Sequence, residues 1–271
     1  MKLLAILTDA ESAETCLNAA AAAARMLEIP EIEVLHVLVD PANLIGSAEE
    51  VDIQWLRSLR EGTPEQRSEA VKLAFSRWLS RSSDGLLAVW HEVEGSEAQQ
   101  VTEAAKDADI STVVLADEQN LDAADARHAA LFSLQKPVLL VPHGWSWSVS
   151  ADRRFRHVAV AVDGAALRHS IEPSLRMLQN AERITCIHVG TDVPQARKSF
   201  DWLEEKGLTF ELRFVEDQAG TGKAIVAEAE LAGADLLMAG AYRHSEIAEG
   251  VQRGITHQIL TAADLPLLLI H

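Results

Sequence analysis

Cysteine is nearly missing from this chain, with only Cys16 and Cys186 in 271 residues. One lies in a helical pattern and the other in a strand pattern, so no disulfide framework is expected and both read as small buried apolar side chains. Long apolar stretches are missing too. The opening MKLLAILTDAES is broken by Asp9, too short and wrongly flanked for a secretory leader, and no run approaches membrane-spanning length. A cytoplasmic protein with no membrane partner is the expectation. Basic charge is scarce, with 24 Lys and Arg against 41 Asp and Glu and a net charge of -17. No basic cluster offers a local exception, so nucleic acid is not an expected partner. Residues 1–143 hold 24 acidic and 11 basic side chains and residues 144–271 hold 17 and 13, which is -13 against -4. A small polyanion is better accommodated by the second half.

Catalytic signatures are equally sparse. There is no nucleophile elbow, no HExxH and no paired-cysteine motif. His36 and His188 recur at matching places, and Cys186 and His188 alternate onto one strand face, but two such residues fall short of a structural zinc site. No metal site is expected, and the chain reads as regulatory rather than catalytic.

What is present is an internal repeat. The apolar runs LLAILTD (3–9), IEVLHVLVD (32–40), LLAVWHEVE (86–94), ISTVVLAD (110–117) and PVLLVPH (137–143) return as HVAVAVD (157–163), ITCIHVG (184–190), LTFELRFV (208–215), ADLLMAG (234–240) and PLLLIH (266–271). Both sets share an Asp closing run one, a His-Val in run two and a Pro opening run five. Helical patterns lie between them. In ESAETCLNAAAAAARMLE, Leu17, Ala20, Ala24 and Leu27 share one face. Nearly continuous apolar strands alternating with helices imply a parallel sheet covered on both faces. The fold class expected is α/β, with two tandem five-stranded doubly wound domains over residues 1–143 and 157–271, joined by a polar linker over 144–156. The halves differ after run two. The first inserts the segment 41–84, with a helix expected from about Pro64 to Ser80 carrying Val71, Phe75, Trp78 and Leu79.

Ligands of such sheets bind beyond the strand carboxyl ends, where the strand order reverses. In the second half those ends supply Val162, Asp163, Val189, Ala239 and Gly240. Gly254, Ile255 and Thr256 then open the last helix, whose free N–H groups suit an anion. The stretch GTGKA (220–224) is not a phosphate loop: Asp217 stands where the first glycine belongs, and Ala224 where Ser or Thr would bind magnesium.

The tandem five-stranded units, the Asp ending each first strand, and MAGAYRHSEIAEGVQRGITHQILTAADLPLLLIH together resemble the universal stress protein family in its tandem form, an adenine nucleotide α-hydrolase-like fold. ATP-binding members of that family carry G-x-x-G, nine residues, then G-[S/T/G]. Here Gly240 matches, Arg243 and Arg253 replace two glycines, and Gly254, Ile255 and Thr256 follow with the spacing intact. The resemblance implies a stress-response protein binding ATP, ADP or AMP, with Val162, Asp163 and Val189 around adenine and ribose. Ala239, Gly240, Arg243, Arg253, Gly254, Ile255 and Thr256 would surround the phosphates. The two arginines either grip the phosphates or fill their place; in the second case the protein is a nucleotide-free interaction scaffold. Weak ATPase activity is a third alternative.

The loop of the first half, DEQNLDAADARHAALFSLQKP, keeps no glycine and sets Asp117, Glu118, Asp122 and Asp125 where phosphate oxygens would lie. Four acidic groups would repel a triphosphate, so this half reads as structural or partner-facing. The resemblance further implies a pseudo-dimer of the two halves through their last strands, with a homodimer and an unidentified protein as further partners.

Overall fold

The chain is described from a computed structural model over residues 1–42, 48–82, 85–115, 120–132, 136–146, 154–162, 172–190, 193–216, 220–240 and 254–270. It divides into two compact units, Met1–Arg153 and Arg154–His271. The first runs β1 (Leu3–Ile6), α1 (Ala13–Leu27), β2 (Glu31–Leu38), α2 (Ala48–Glu61), α3 (Pro64–Arg81), β3 (Leu87–Glu94), α4 (Glu97–Ala105), β4 (Ile110–Leu115), α5 (Leu121–Phe132) and β5 (Val138–Pro142). The second runs β6 (His157–Ala161), a single 3-10 turn at Glu172–Ser174, α6 (Leu175–Gln179), β7 (Arg183–Val189), α7 (Val193–Glu205), β8 (Glu211–Val215), α8 (Thr221–Leu231), β9 (Leu236–Gly240), α9 (Ile255–Ala262) and β10 (Leu267–Ile270).

The strand order is β3-β2-β1-β4-β5 in the first unit and β10-β9-β6-β7-β8 in the second, and neighbouring strands within each unit run parallel. In both, the order reverses beside the first strand, between β1 and β4 and between β6 and β9. These are the doubly wound units expected from the repeat. The outer strands β3 and β8 depart from a continuous apolar run, because an edge strand is only partly covered: Leu87 is 59% and Phe214 49% exposed.

Helix α1 shows why alanine fills its middle. Leu17, Ala20, Ala24 and Leu27 are buried as their spacing predicts, and Ala19, Ala21, Ala22 and Ala23 are buried as well. Small side chains leave room for a second cover: α3 packs on α1, and Trp78 donates its indole N–H to Asn18 Oδ1 at 3.0 Å. The inserted segment is therefore a helical hairpin. Its turn is written in REGTPEQ, where Gly62 takes φ +94°, Thr63 caps α3, and Pro64 occupies the first turn. Gln66 N–H reaches Thr63 Oγ1 at 3.3 Å and Thr63 N–H reaches Gln66 Oε1 at 2.9 Å, a reciprocal capping box. Val71, Phe75 and Trp78 are buried, whereas Leu79 is 38% exposed and stands at the margin of the covered face.

The glycines of GTGKA serve helix packing. Gly220 precedes α8 with φ +102°, and a Cβ on Gly222 would lie 2.5 Å from Ile255 O and 2.6 Å from Gln258 Cβ of α9. The Gly222 N–H donates to Gln258 Oε1 at 3.0 Å. Gly222→Ala is therefore expected to push α8 from α9 and cost about 1–3 kcal/mol, read as a lower midpoint in urea unfolding; an unchanged midpoint would contradict this close approach.

Candidate functional site

In the second unit the register sets the predicted residues side by side. Val160 lies opposite Met238 and Ala161 opposite Ile187. Two residues on, Val162 and Gly240 reach the carboxyl edge together, with Val189 at the end of β7 beside them. Val162 and Ala239 are buried at 4% and 5%, and Gly240 is exposed. A crossover helix between parallel strands runs back along the sheet, so α9 begins at this same edge. Gly254 precedes it in an extended conformation with no side chain capping the helix. A helix N-terminus at a strand carboxyl edge is the kind of position that receives anions. Thr256 is buried and Ile255 is 41% exposed. Asp163, Arg243, His244 and Arg253 lie outside the described residues.

The repeated histidines tie strand two to the end of strand one in each unit. His36 Nδ1 is 2.7 Å from Leu7 O, and His188 Nδ1 is 3.1 Å from Val162 O. A carbonyl only accepts, so Nδ1 carries the proton in both rings. Burial lowers the His36 pKa against the bond to Leu7, keeping that ring neutral. These bonds fix the carbonyls that close β1 and β6, at the switch points. Burial pushes the Cys186 thiol up to about 12. Among the described residues no group of His, Cys, Asp and Glu is placed to hold a metal ion.

The first unit carries a cavity of about 550 Å³ at the corresponding edge, where a repulsive acidic loop is the sequence expectation. Thr8 and Asp9 follow β1, Asn120 and Leu121 lead into α5, and the inserted hairpin forms the remaining wall with Ile53, Leu56, Arg57, Arg60, Glu61, Gln66, Arg67, Ala70 and Val71. Asp9 is held by three donors: Oδ1 accepts from Ser12 N–H at 2.7 Å, and Oδ2 from Asn120 Nδ2 at 2.8 Å and Thr8 Oγ1 at 3.2 Å, which leaves Oδ1 with room for a further donor. Asp122 corrects the picture of a free acidic loop. It is buried at the start of α5, paired with Arg57 and bonded by Gln54 Nε2 at 2.7 Å. Arg57 also bonds Glu61, so its one positive charge meets two carboxylates. Asp125 lies one turn further along α5, and Asp117 and Glu118 fall outside the described residues. The hairpin arginines went unassigned in the sequence, although Ile53, Arg57 and Arg60 recur at helical spacing just ahead of the capping box at Thr63 and Gln66.

No family model matches the sequence, and neither does any curated protein. The solved structures do. A universal stress protein from Archaeoglobus fulgidus is similar over 99% of this chain and 95% of its own, with 14% identity and a TM-score of 0.60. The fold is that of tandem universal stress proteins. A second such protein, from Pseudomonas aeruginosa and described as a putative universal stress protein, covers 99% of this chain and 92% of its own at 13% identity and a TM-score of 0.54. A protein of unknown function from the same species gives 12% identity and a TM-score of 0.58 over 99% and 92% of the two chains.

Within this universal-stress-type fold, the hairpin is locked over the first sheet by buried polar groups. Arg57 and Asp122 have side chains only 7% and 6% exposed. Removing one partner of such a pair strands the other in a medium of low polarity. Asp122→Ala is expected to cost about 3–5 kcal/mol in urea unfolding, and Arg57→Met with Asp122→Leu far less; equal losses would refute the lock.

Glu97, at the start of α4, is 3% exposed and its Oε1 has no hydrogen-bond partner. Burial raises its pKa well above 4.5, with Asp122 and Asp125 adding to the shift and Arg57 opposing it. The folded state thus holds a proton that the unfolded chain releases above that value, and stability falls as pH rises from there toward the folded pKa. Glu97→Gln should raise the unfolding midpoint at neutral pH and leave it unchanged near pH 4, about where the unfolded carboxyl is still protonated; an equal gain at both would show that titration of Glu97 is not the cause.

Proposed function

We propose that the chain is a cytoplasmic regulatory protein of a stress response that binds an adenine nucleotide, ATP, ADP or AMP, at the carboxyl edge of its second sheet. The supporting observation is the helix α9, which starts on Gly254 with no side-chain cap, in the unit where Gly240 is exposed at the strand-order reversal. Phosphates would lie on the N–H groups of Gly254, Ile255 and Thr256, with Ala239 and Gly240 as the floor and Arg243 and Arg253 as charge partners. Val162, Asp163 and Val189 would face the adenine and ribose. In this reading the two halves pair through their apolar last strands, and a second chain can join them. Among the described residues no helix is long and apolar enough to cross a membrane.

A second reading, an interaction scaffold, is favoured by the outer face of α2. Trp55, Leu56 and Leu59 are 52%, 61% and 84% exposed there, an apolar face on a surface helix.

The two readings separate by mass spectrometry of small molecules released from the purified protein, followed by calorimetric titration with ATP, ADP and AMP. The nucleotide reading expects a bound adenine species or saturable heat, weakened at least about tenfold by Arg253→Glu, the scale of one charge-assisted hydrogen bond. Neither signal at millimolar nucleotide would leave the scaffold.

A further inference from the structure

We propose that the cavity of the first half binds a small hydroxylated oxyanion, a sugar phosphate or a sugar acid, with Arg60 and Arg67 of the inserted hairpin holding the charged group and Asp9 accepting from the hydroxyls. This site is independent of the nucleotide reading, since none of its walls belongs to the second half.

The charges around the cavity are unevenly matched. Arg57 is compensated by Asp122 and Glu61. Arg60 and Arg67 have no carboxylate within ion-pair distance among the described residues, and both face the cavity. Arg67 is half-buried and meets neutral acceptors alone: Nη1 lies 2.9 Å from Gly62 O and 3.4 Å from Ser58 Oγ, and Nη2 is 3.5 Å from Val39 O. Burial, and then the neighbouring Arg57, press its pKa downward. Asp122, Glu61 and Glu65 act on it only from beyond ion-pair distance, and an oxyanion with lone pairs in the guanidinium plane would supply the direct partner. Ile53, Val71 and Leu121 supply apolar wall beside the charged groups, which lowers the local polarity on that side of the contact.

The opposite wall sets the rest of the ligand. The three donors on Asp9 are neutral groups, so no cation offsets its carboxylate, which faces the same space. It repels a second anionic group and accepts from hydroxyls. Glu11 and Glu61 add to that repulsion on the rim. A nucleoside triphosphate, with about four negative charges at neutral pH against two uncompensated arginines, fits this balance poorly. One oxyanion on a hydroxylated body fits it, and a cavity of about 550 Å³ has room for that size of molecule. Among the described residues the hairpin wall is particular to the first half, because α2 and α3 have a single counterpart in the second, α7.

The test is calorimetric titration and thermal unfolding of the full chain with a hexose phosphate, gluconate and glucose. The expected result is saturable binding of the phosphate or the carboxylate and none of glucose; whichever anion binds identifies the class. Arg60→Glu, at an exposed residue outside every contact that fixes the hairpin, should weaken binding at least about tenfold. Arg67→Gln should do the same, with its unfolding midpoint checked separately. No binding of either anion at millimolar concentration, or affinity unchanged in both variants, would overturn the site. ATP titrated in parallel keeps the two inferences apart: ATP heat lost in Gly240→Glu and kept in Arg60→Glu belongs to the second half, whatever the anions do.

Discussion

A parallel sheet must be covered on both faces, and that constraint organises each half of this protein. Connecting parallel neighbours requires a helix or other long crossover each time, and the crossovers leave the strand carboxyl ends as the one edge where loops gather. Val162, Val189 and Gly240 meet in the second half for that reason, as do Thr8, Asp9 and Asn120 in the first. His36 and His188 then hold the first carbonyl beyond each first strand, that of Leu7 or Val162, from the adjoining strand, so the edge is fixed from within the sheet.

The two halves use the same edge differently. In the second, the crossover from β9 to β10 ends in an eight-residue helix opened by Gly254, and the chemistry on offer is main-chain N–H. In the first, the inserted hairpin supplies side-chain cations instead. Its Arg57 pairs with Asp122, which makes that one acidic side chain at the start of α5 part of a packed wall. The hairpin is held by its reciprocal cap at Thr63 and Gln66, by Trp78 on Asn18, and by that buried ion pair.

Much of the fold was legible in the residues. The five apolar runs of each half became five strands, most of them shorter than the run by one to three residues, and the Leu17–Ala20–Ala24–Leu27 face became part of the buried face of α1. The failure of GTGKA as a phosphate loop was legible as well, but not the reason for its glycines: a Cβ at Gly222 would strike α9, which lies 33 residues further along at Ile255. Helix α2 was missed because its apolar positions are divided between a cavity wall and an exposed face, which blurs the single stripe that marks an amphipathic helix.

The sequence by itself determined the repeat, the parallel doubly wound class, and the glycine spacing of the second loop, because these depend on local pattern and on short-range backbone preference. Only the tertiary structure decided which charges are spent. Asp122 and Arg57 stand 65 residues apart, and nothing local distinguishes Arg57, closed in an ion pair, from Arg60 and Arg67, open to the cavity. Coulombic pairing acts through space, so the same three arginines acquire different chemistry only when the hairpin is folded over the sheet.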